Sequence, residues 1–326
     1  GFPDFIEEMK VKLKKEFGVV EDGKLRKLLG VRYQWEAETS TKKARVVLSL
    51  TDKAEEIIEA YEDAIGERVS RVYRAPGKPG DILKKNEKEV KMHGQYRSIL
   101  GKIMFYVQKI APECCFACGQ LARHMHNPGE QHWEAMGRFI GYLKGKEKHE
   151  LVINRPVSLR TYSFGDGSYG DCPETRTSST GDVHTIGGAV VSWRAQKTNT
   201  VCLSTAEVEY IEMTEMAKEQ RFIEMAMEEM FECVMPGVLY EDNEAAIYLA
   251  KNQHVTPRTK HIDIRMHYIR EHVKNNWGTI VKIRSEDNFA DVLTKNVSVK
   301  IFEKLGKGLI NGFQGWDKLF EYEDKK

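Results

Sequence analysis

Apolar residues recur at every fourth position near the start of the chain, and this spacing predicts an amphipathic helix over 5–17. The residues on its apolar face are Phe5, Met9, Leu13 and Phe17. Two short strands are predicted at 28–33 and 44–50, followed by a helix over 52–65 with Thr51 as its N-terminal cap. These elements indicate an α+β arrangement in this part of the chain.

A charged stretch that contains prolines and glycines predicts an exposed loop over 66–95. Helices are then predicted over 95–110, 112–126 and 130–144, with a break at Pro128-Gly129. Residues 146–156 have the pattern of a strand or a linker. The chain therefore passes from a helical segment into a second region near residue 156.

From residue 157 onward, strands come first and then alternate with helices. The strands are predicted at 158–165, 181–195, 198–203, 238–241 and 279–284, and the helices over 205–231, 243–251 and 261–275 with a final helical region over 287–309. This order predicts an α/β domain in which three antiparallel strands are extended by parallel ones, with helices on both faces of the mixed sheet.

Length and composition place the chain among ordinary globular proteins. With 326 residues, 41% of them hydrophobic and 30% charged, two or three domains are expected. The net charge of +1 gives no overall field that would attract nucleic acid, so any nucleic-acid site must come from local patches. The chain begins with Gly1 rather than Met, which suggests a fragment or a processed product.

Cysteine spacing and hydropathy indicate the cellular environment that we expect for the protein. The six cysteines show no spacing of a disulfide framework, and no signal peptide precedes them, so we expect an intracellular protein with reduced thiols. No apolar run approaches 18 residues, so we expect no membrane partner. Cys115 and Cys118, with His124 and His126, could suggest zinc, but they fall within a predicted helix and are interpreted as free thiols and packed rings.

Four acidic residues stand at the ends or starts of the predicted elements. They are Asp166, Glu209, Asp242 and Asp291. Hydrolysis of a phosphodiester by two divalent ions needs several carboxylates from separate segments to converge, because Mg²⁺ prefers carboxylate oxygens. On spacing alone, however, an acidic residue after a strand is more often a turn residue or a helix cap, since the chain contains 49 acidic residues.

The segments around these acids resemble, in the same order, the ribonuclease H motifs of copia-type LTR retrotransposon Pol polyproteins. The segments are DGSYGDCPETRTSSTG (166–181), GG (187–188) with SWR (192–194), LSTAEVEY (203–210), LYEDNEAAI (239–247), RTKHIDIR (258–265) and NFADVLTK (288–295). Upstream, YRSILGKI (96–103) and HNPGEQHWE (126–134) resemble the segment between the polymerase and ribonuclease H of such polyproteins, and LLGV (28–31) resembles the end of the polymerase palm.

The resemblance implies that Asp166, Glu209, Asp242 and Asp291 are the catalytic, metal-binding acids, with two Mg²⁺ or Mn²⁺ ions as cofactors. Members of the family often have Tyr-Ser-Asp in the first motif, and the Asp position of this triplet corresponds to Phe164 here. The distance to Thr175 and Arg176, however, aligns the first acid of the family with Asp166. Glu207 is an alternative to Glu209, and residues two apart on a helix face different directions.

The implied reaction is endonucleolytic cleavage of the RNA strand of an RNA–DNA hybrid, as part of a reverse transcriptase. The sequence contains no Asp-Asp pair, which the palm of such a polymerase needs, so no polymerase activity is expected from this chain alone. We expect three parts: 1–95 as the end of the palm and the thumb, 96–156 as a helical connection, and 157–326 as the ribonuclease H-like domain. The missing fingers and palm, or another reverse transcriptase chain, are the expected protein partners.

Basic residues near the motifs are candidates for contacts to phosphates of the hybrid, although most such residues are solvated surface charges. They are Arg176, Arg194, Lys197, Arg258 and Lys260, together with His261, which is otherwise a ring packed at a helix start.

Two other functions are compatible with the sequence. A decayed or recruited element would keep the fold as a catalytically silent module that binds nucleic acid or protein. A transposase or integrase nuclease has a related fold but carries its glutamate late in the chain, whereas Glu209 is the second acid here. The localisations expected for a retrotransposon protein are the cytoplasm, retrotransposon particles and the nucleus.

Overall fold

The computed structural model of the chain describes residues 2–18, 23–40, 43–88, 93–156, 158–231, 235–251 and 263–312. Within these ranges, no helix is both long enough and apolar enough to cross a membrane.

The first region combines a small sheet with helices. Its elements are α1 (Phe2–Phe17), β1 (Lys27–Leu28), β2 (Val31–Glu36), β3 (Arg45–Ser49), α2 (Thr51–Ile65), α3 (His93–Ile110), α4 (Cys115–Arg123), α5 (Glu130–Gly145) and β4 (Glu150–Asn154). The sheet has the order β1-β2-β3-β4 and is antiparallel throughout. The prediction of an α+β region is therefore confirmed.

Two local predictions in this region are wrong. The single strand predicted over 28–33 is a hairpin, because Leu29 and Gly30 both have positive φ and reverse the chain between β1 and β2. Thr51 is the first residue of α2 rather than its cap; the cap position is Leu50, and no side chain caps the helix.

The second region contains the larger sheet. Its elements are β5 (Arg160–Ser168), β6 (Ser179–Ile186), β7 (Ala189–Lys197), α6 (Thr205–Phe231), β8 (Met235–Glu241), α7 (Glu244–Lys251), α8 (Asp263–Lys274), β9 (Gly278–Lys282), α9 (Asp291–Thr294) and α10 (Val299–Asn311). The strand order is β7-β6-β5-β8-β9, with the first three antiparallel and β8 and β9 added in parallel. This is the predicted topology.

The antiparallel strands begin and end at residues other than those predicted. The strand predicted over 181–195 is the hairpin β6–β7, since Gly187 and Gly188 have φ values of 51° and 93° and form its turn. The predicted strand 198–203 is not a strand. The third antiparallel strand is therefore β7 itself.

Both faces of the larger sheet are covered. On one face, α6 packs against β5 and is covered in turn by α7 and α8. On the other face lie α9 and α4 of the first region, and α10 packs against α9 and β4. On this second face, the ring of Phe164 stacks on Tyr240 with centroids 4.8 Å apart, and Phe289 meets Phe164 edge to face.

The first region and the second share one buried core, which extends from Val31 in β2 to Leu309 in α10. Trp193 of β7 donates its indole hydrogen bond to the carbonyl of Val107 in α3 at 3.3 Å. Strand β4 pairs with β3, so the end of the helical segment completes the first sheet. The division into 1–95, 96–156 and 157–326 stays a prediction.

Gly181 allows α9 to lie directly on β6, and we expect Gly181→Ala to destabilise the protein. A Cβ atom at Gly181 would lie 2.6 Å from the Cβ of Leu293, and overpacking of this kind costs about 1–3 kcal/mol. Urea unfolding measures the loss. The control is Gly101→Ala in α3, where nothing lies within 4 Å of the added atom and helix propensity favours alanine. Equal stability of Gly181→Ala and the parent would show that α9 is free to shift.

Candidate metal centre

Three of the four predicted acids converge near the C-terminal ends of β5 and β8. Alternation along β5 places Asp166 on the same face as Phe164, which pairs with Tyr240 of β8. Asp242 follows directly after β8, and Asp291 is the first residue of α9, which packs on this face. One carboxylate oxygen from each of Asp166, Asp242 and Asp291 lies within 4.8 Å of the others.

The fourth acid, Glu209, lies in the first turns of α6. Ser204 caps this helix by accepting a hydrogen bond from the Glu207 amide at 3.2 Å, and the Glu207 carboxylate accepts one from the Leu203 amide at 2.6 Å. The Glu207 carboxylate thus takes part in the hydrogen bonds at the start of α6, while Glu209 points toward the sheet. Gly167 allows this approach, because a Cβ there would lie 2.5 Å from Val208 and 3.0 Å from the Glu209 carboxylate.

Glu209 belongs to a second acidic group, in which its carboxylate oxygen lies within 4.8 Å of oxygens from Glu241 and Asp242. Asp242 is common to both groups. Glu241 was not among the predicted site residues, although the strand pattern contained a signal for it. Leu239 of β8 packs with the residues of α6, and alternation puts Glu241 on that same face.

Burial is the main cause of the raised pKa values of these carboxyl groups. It raises the pKa of Glu209, Glu241, Asp242 and Asp291, and repulsion from neighbouring carboxylates raises it further. For Asp291 the result is a pKa of about 7. A divalent cation would reverse this effect, because it stabilises the ionised carboxylates.

Lys295 and Thr294 hold the carboxylates on the α9 side. The Lys295 ammonium lies 2.9 Å from Asp291 Oδ1 and 3.4 Å from Asp166 Oδ2. Burial works against its charge, but these two carboxylates outweigh burial and raise the pKa of Lys295 above its ordinary value. Thr294 donates its hydroxyl hydrogen bond to Asp166. Both residues lie in the recognised motif at 288–295, but neither was among the predicted site residues.

The donor set fits hard divalent cations such as Mg²⁺ or Mn²⁺. Every candidate ligand is a carboxylate, and such ions prefer oxygen ligands. Oε2 of Glu209 and Oε2 of Glu241 are buried and have no hydrogen-bond partner among the described residues. Buried charged oxygens without partners are costly, and a bound cation would satisfy them.

The predicted phosphate contacts are placed as follows. Arg176 is exposed in the loop between β5 and β6, and the Lys197 ammonium reaches the same loop, 2.9 Å from the sulfur of Cys172. Arg194 points to the α6 face, where its Nε donates to Asp182 at 2.9 Å. Arg258, Lys260 and His261 lie outside the described residues. The role of this set as phosphate contacts stays a prediction.

The described cysteines, Cys114, Cys115, Cys118, Cys172 and Cys202, are free thiols. Cys115 and Cys118 lie within α4, and burial raises the pKa of both. The His124 ring contacts that of His132 in a tilted arrangement with centroids 4.3 Å apart, and His124 Nε2 lies 3.2 Å from the carbonyl of Leu83. The groups able to hold a metal in the described part of the chain are the two acidic ones.

A buried polar network lies between α6 and the sheet. Ser163 Oγ lies 2.8 Å from His184 Nδ1, and His184 Nε2 lies 3.2 Å from Asp182 Oδ1. This arrangement resembles a nucleophilic triad, but the three residues are at most 1% exposed. A substrate therefore cannot reach the Ser163 hydroxyl, and Gln220 already donates a hydrogen bond to it. The network stabilises the packing of α6 rather than forming a second active site.

His272 of α8 is expected to make the stability of the protein depend on pH. Burial lowers its pKa from 6.5 to about 4, and neither ring nitrogen has a hydrogen-bond partner among the described residues. Between pH 6.5 and 4 the unfolded chain binds the proton and the native chain does not. The contribution of the neutral His272 ring to stability is thus complete above pH 6.5 and falls by about 3 kcal/mol as the pH decreases to 4.

The measurement for His272 is denaturant unfolding at several pH values for the parent and for His272→Leu. The free energy of unfolding of the variant should decrease less between pH 6.5 and 4 than that of the parent, since the variant has no ionisable ring at this position. His126→Leu removes an exposed ring instead and should follow the parent. An identical pH profile for His272→Leu and the parent would contradict the prediction.

The strand order and the acids beside the central strands define a ribonuclease H-like fold. No family model matches the chain. The Pol polyprotein of transposon TNT 1-94 from Nicotiana tabacum is 37% identical over 210 residues, covering 64% of this chain and 16% of that protein. The Pol polyprotein of transposon RE2 from Arabidopsis thaliana is 28% identical over 214 residues, covering 65% of this chain and 15% of its own length.

The chain is similar to copia-type retrotransposon Pol polyproteins over about 64% of its own length, as the motif order predicted, and it spans about 15% of the length of these relatives. A solved N-terminal RNase H domain from Mycobacterium tuberculosis has a TM-score of 0.31 and 9% identity, covering 46% of this chain and 99% of that one.

Proposed function

We propose that this chain is a ribonuclease H that depends on divalent metal ions and cleaves the RNA strand of RNA–DNA hybrids, as the nuclease part of a reverse transcriptase. The observation that carries the proposal is the pair of acidic groups at the end of the central strands, which share Asp242. Pol polyproteins of transposons are among its relatives, and they suggest the setting.

In this proposal Asp166, Asp242 and Asp291 hold one ion, and Glu209 with Asp242 holds a second. Two such ions supply an activated water and stabilise the leaving oxygen of an in-line phosphodiester cleavage. The protein's contribution is to keep the carboxylates in place. Thr294 fixes the orientation of Asp166 through its hydrogen bond, and such supporting partners affect metal affinity about 10–100-fold.

Contacts to the hybrid would come from the loop edge that carries Arg176 and Lys197, with further contacts from the segment around Arg258, Lys260 and His261. Phosphate contacts of this kind weaken as the salt concentration rises. The expected partners are the hybrid and the remaining parts of a reverse transcriptase, and the expected setting is inside the cell. The first 156 residues would grip the hybrid beside the nuclease without extending a primer.

The proposal is tested by incubating the full chain with an RNA–DNA hybrid labelled on either strand, in Mg²⁺, in Mn²⁺ and in excess EDTA. Cleavage of the RNA strand alone, dependent on the metal, is the expected result. Duplex DNA and duplex RNA serve as control substrates. Binding of the hybrid without cleavage in either metal would overturn the proposal and leave a silent binding module.

A further inference from the structure

Glu241 is the last residue of β8 and is fully buried. Its Oε1 accepts a hydrogen bond from the Asn243 amide at 2.9 Å, which fixes the direction of the carboxylate. Its Oε2 has no partner among the described residues, and one oxygen of this carboxylate belongs to the group formed with Glu209 and Asp242. A buried, unpartnered carboxylate oxygen beside two other carboxylates is satisfied most simply by a cation.

The two acidic groups differ in how their charge is balanced. On the α9 side, Lys295 makes ion pairs with Asp166 and Asp291. On the α6 side, no ion pair to Glu209 or Glu241 is present in the described part of the chain. An ion entering the α9 side competes with an ammonium that makes direct ion pairs there, whereas on the α6 side Lys295 attracts Glu209 and Asp242 only from a longer distance.

We infer that Glu241 is a further metal ligand, which joins Glu209 and Asp242 to make the α6 side the tighter of the two ion positions. The inference rests on the proposed function, because it assigns a new ligand to the same site. Affinity for hard divalent ions increases with the number of charged ligands and with their rigidity. The buried carboxylates of Glu209 and Glu241, the second fixed by Asn243, and the half-buried carboxylate of Asp242 provide both.

The first experiment counts bound Mn²⁺ by the loss of the electron paramagnetic resonance signal of the free ion, without substrate. The parent should bind two ions with different affinities. Glu241→Gln should weaken the tighter ion at least 10-fold, which is the lower end for loss of a supporting group and a minimum for loss of a ligand. Glu224→Gln is the control, because Glu224 is likewise a buried acid but lies in α6 and pairs with Thr161, away from the cluster.

The second experiment follows thermal unfolding with and without Mn²⁺, and it also shows whether each variant folds. Without metal, Glu241→Gln should melt at or above the temperature of the parent, since a buried charge is removed. Its increase in melting temperature with Mn²⁺ should be smaller than that of the parent or of Glu224→Gln.

Two results would overturn the inference in different ways. If the parent binds two Mn²⁺ ions and Glu241→Gln binds them with the same affinities, Glu241 is not a ligand and the proposed function stands. If the parent itself binds no Mn²⁺, the proposed function fails together with the inference.

Discussion

Asp242→Asn is expected to reduce the rate of RNA cleavage at least 100-fold. Asp242 is the residue common to both acidic groups, so its replacement weakens both ion positions together. Loss of a group that merely orients a ligand costs 10–100-fold, and loss of a shared ligand should exceed that range. The measurement is the single-turnover cleavage rate of a labelled hybrid in saturating Mg²⁺.

The same variant should remain folded and should bind the hybrid. Asparagine keeps the shape of aspartate, and removing this charge relieves the repulsion that helps raise the pKa of Asp242 beside Asp166. Its melting temperature without metal should therefore not fall below that of the parent. Glu224→Gln, in a buried acid remote from the cluster, should cut at close to the parental rate. A rate within 10-fold of the parent for Asp242→Asn would contradict the proposed role.

Lys146→Met is expected to lower the free energy of unfolding by about 3–5 kcal/mol, because it leaves the Glu113 carboxylate buried without its ion pair. The Lys146 ammonium lies 2.8 Å from Glu113 Oε1, and the two side chains are only 10% and 0% exposed. Tyr142 also donates to this oxygen, at 3.1 Å, but a neutral hydroxyl does not replace the positive charge. Urea unfolding of both proteins gives the difference.

The matched control is the double variant Lys146→Met/Glu113→Leu, which removes both charges. Replacing both members of a buried pair by apolar groups is often neutral or stabilising, so the double variant should recover most of the loss. Glu113 lies in the turn Pro112–Cys114, which packs against α9 and α10. If the single and double variants are equally unstable, packing rather than charge accounts for the effect.

The four acids were selected through the resemblance of their motifs, and the structure supplies a physical reason for their proximity. Asp166 and Asp242 lie at the same end of neighbouring parallel strands, and Glu209 follows the Ser204 cap of a helix that packs on the sheet. The limits of α6, Thr205–Phe231, were predicted correctly because its cap and its length are strong local signals. The catalytic role of the acids stays a prediction.

Other parts of the site were missed because they depend on tertiary contacts. Glu241 is a strand residue, and its burial depends on α6 packing over it. Lys295 pairs with Asp166 across 129 positions, which no local pattern reveals. The strands were misplaced where glycines decide the turn: Gly187 and Gly188 were recognised as part of a motif, but their positive φ was not used to end a strand.

The pairing of β3 with β4 has a consequence for the order in which this protein becomes folded during its synthesis. Leu48 pairs with Leu151, so the small sheet cannot close until about 100 further residues have been made. At ~5–20 residues per second, β2 and β3 wait roughly 5–20 s with an unpaired strand edge. Contacts this distant in sequence form slowly, and the waiting edge is where a nascent chain is most open to aggregation or to chaperone binding.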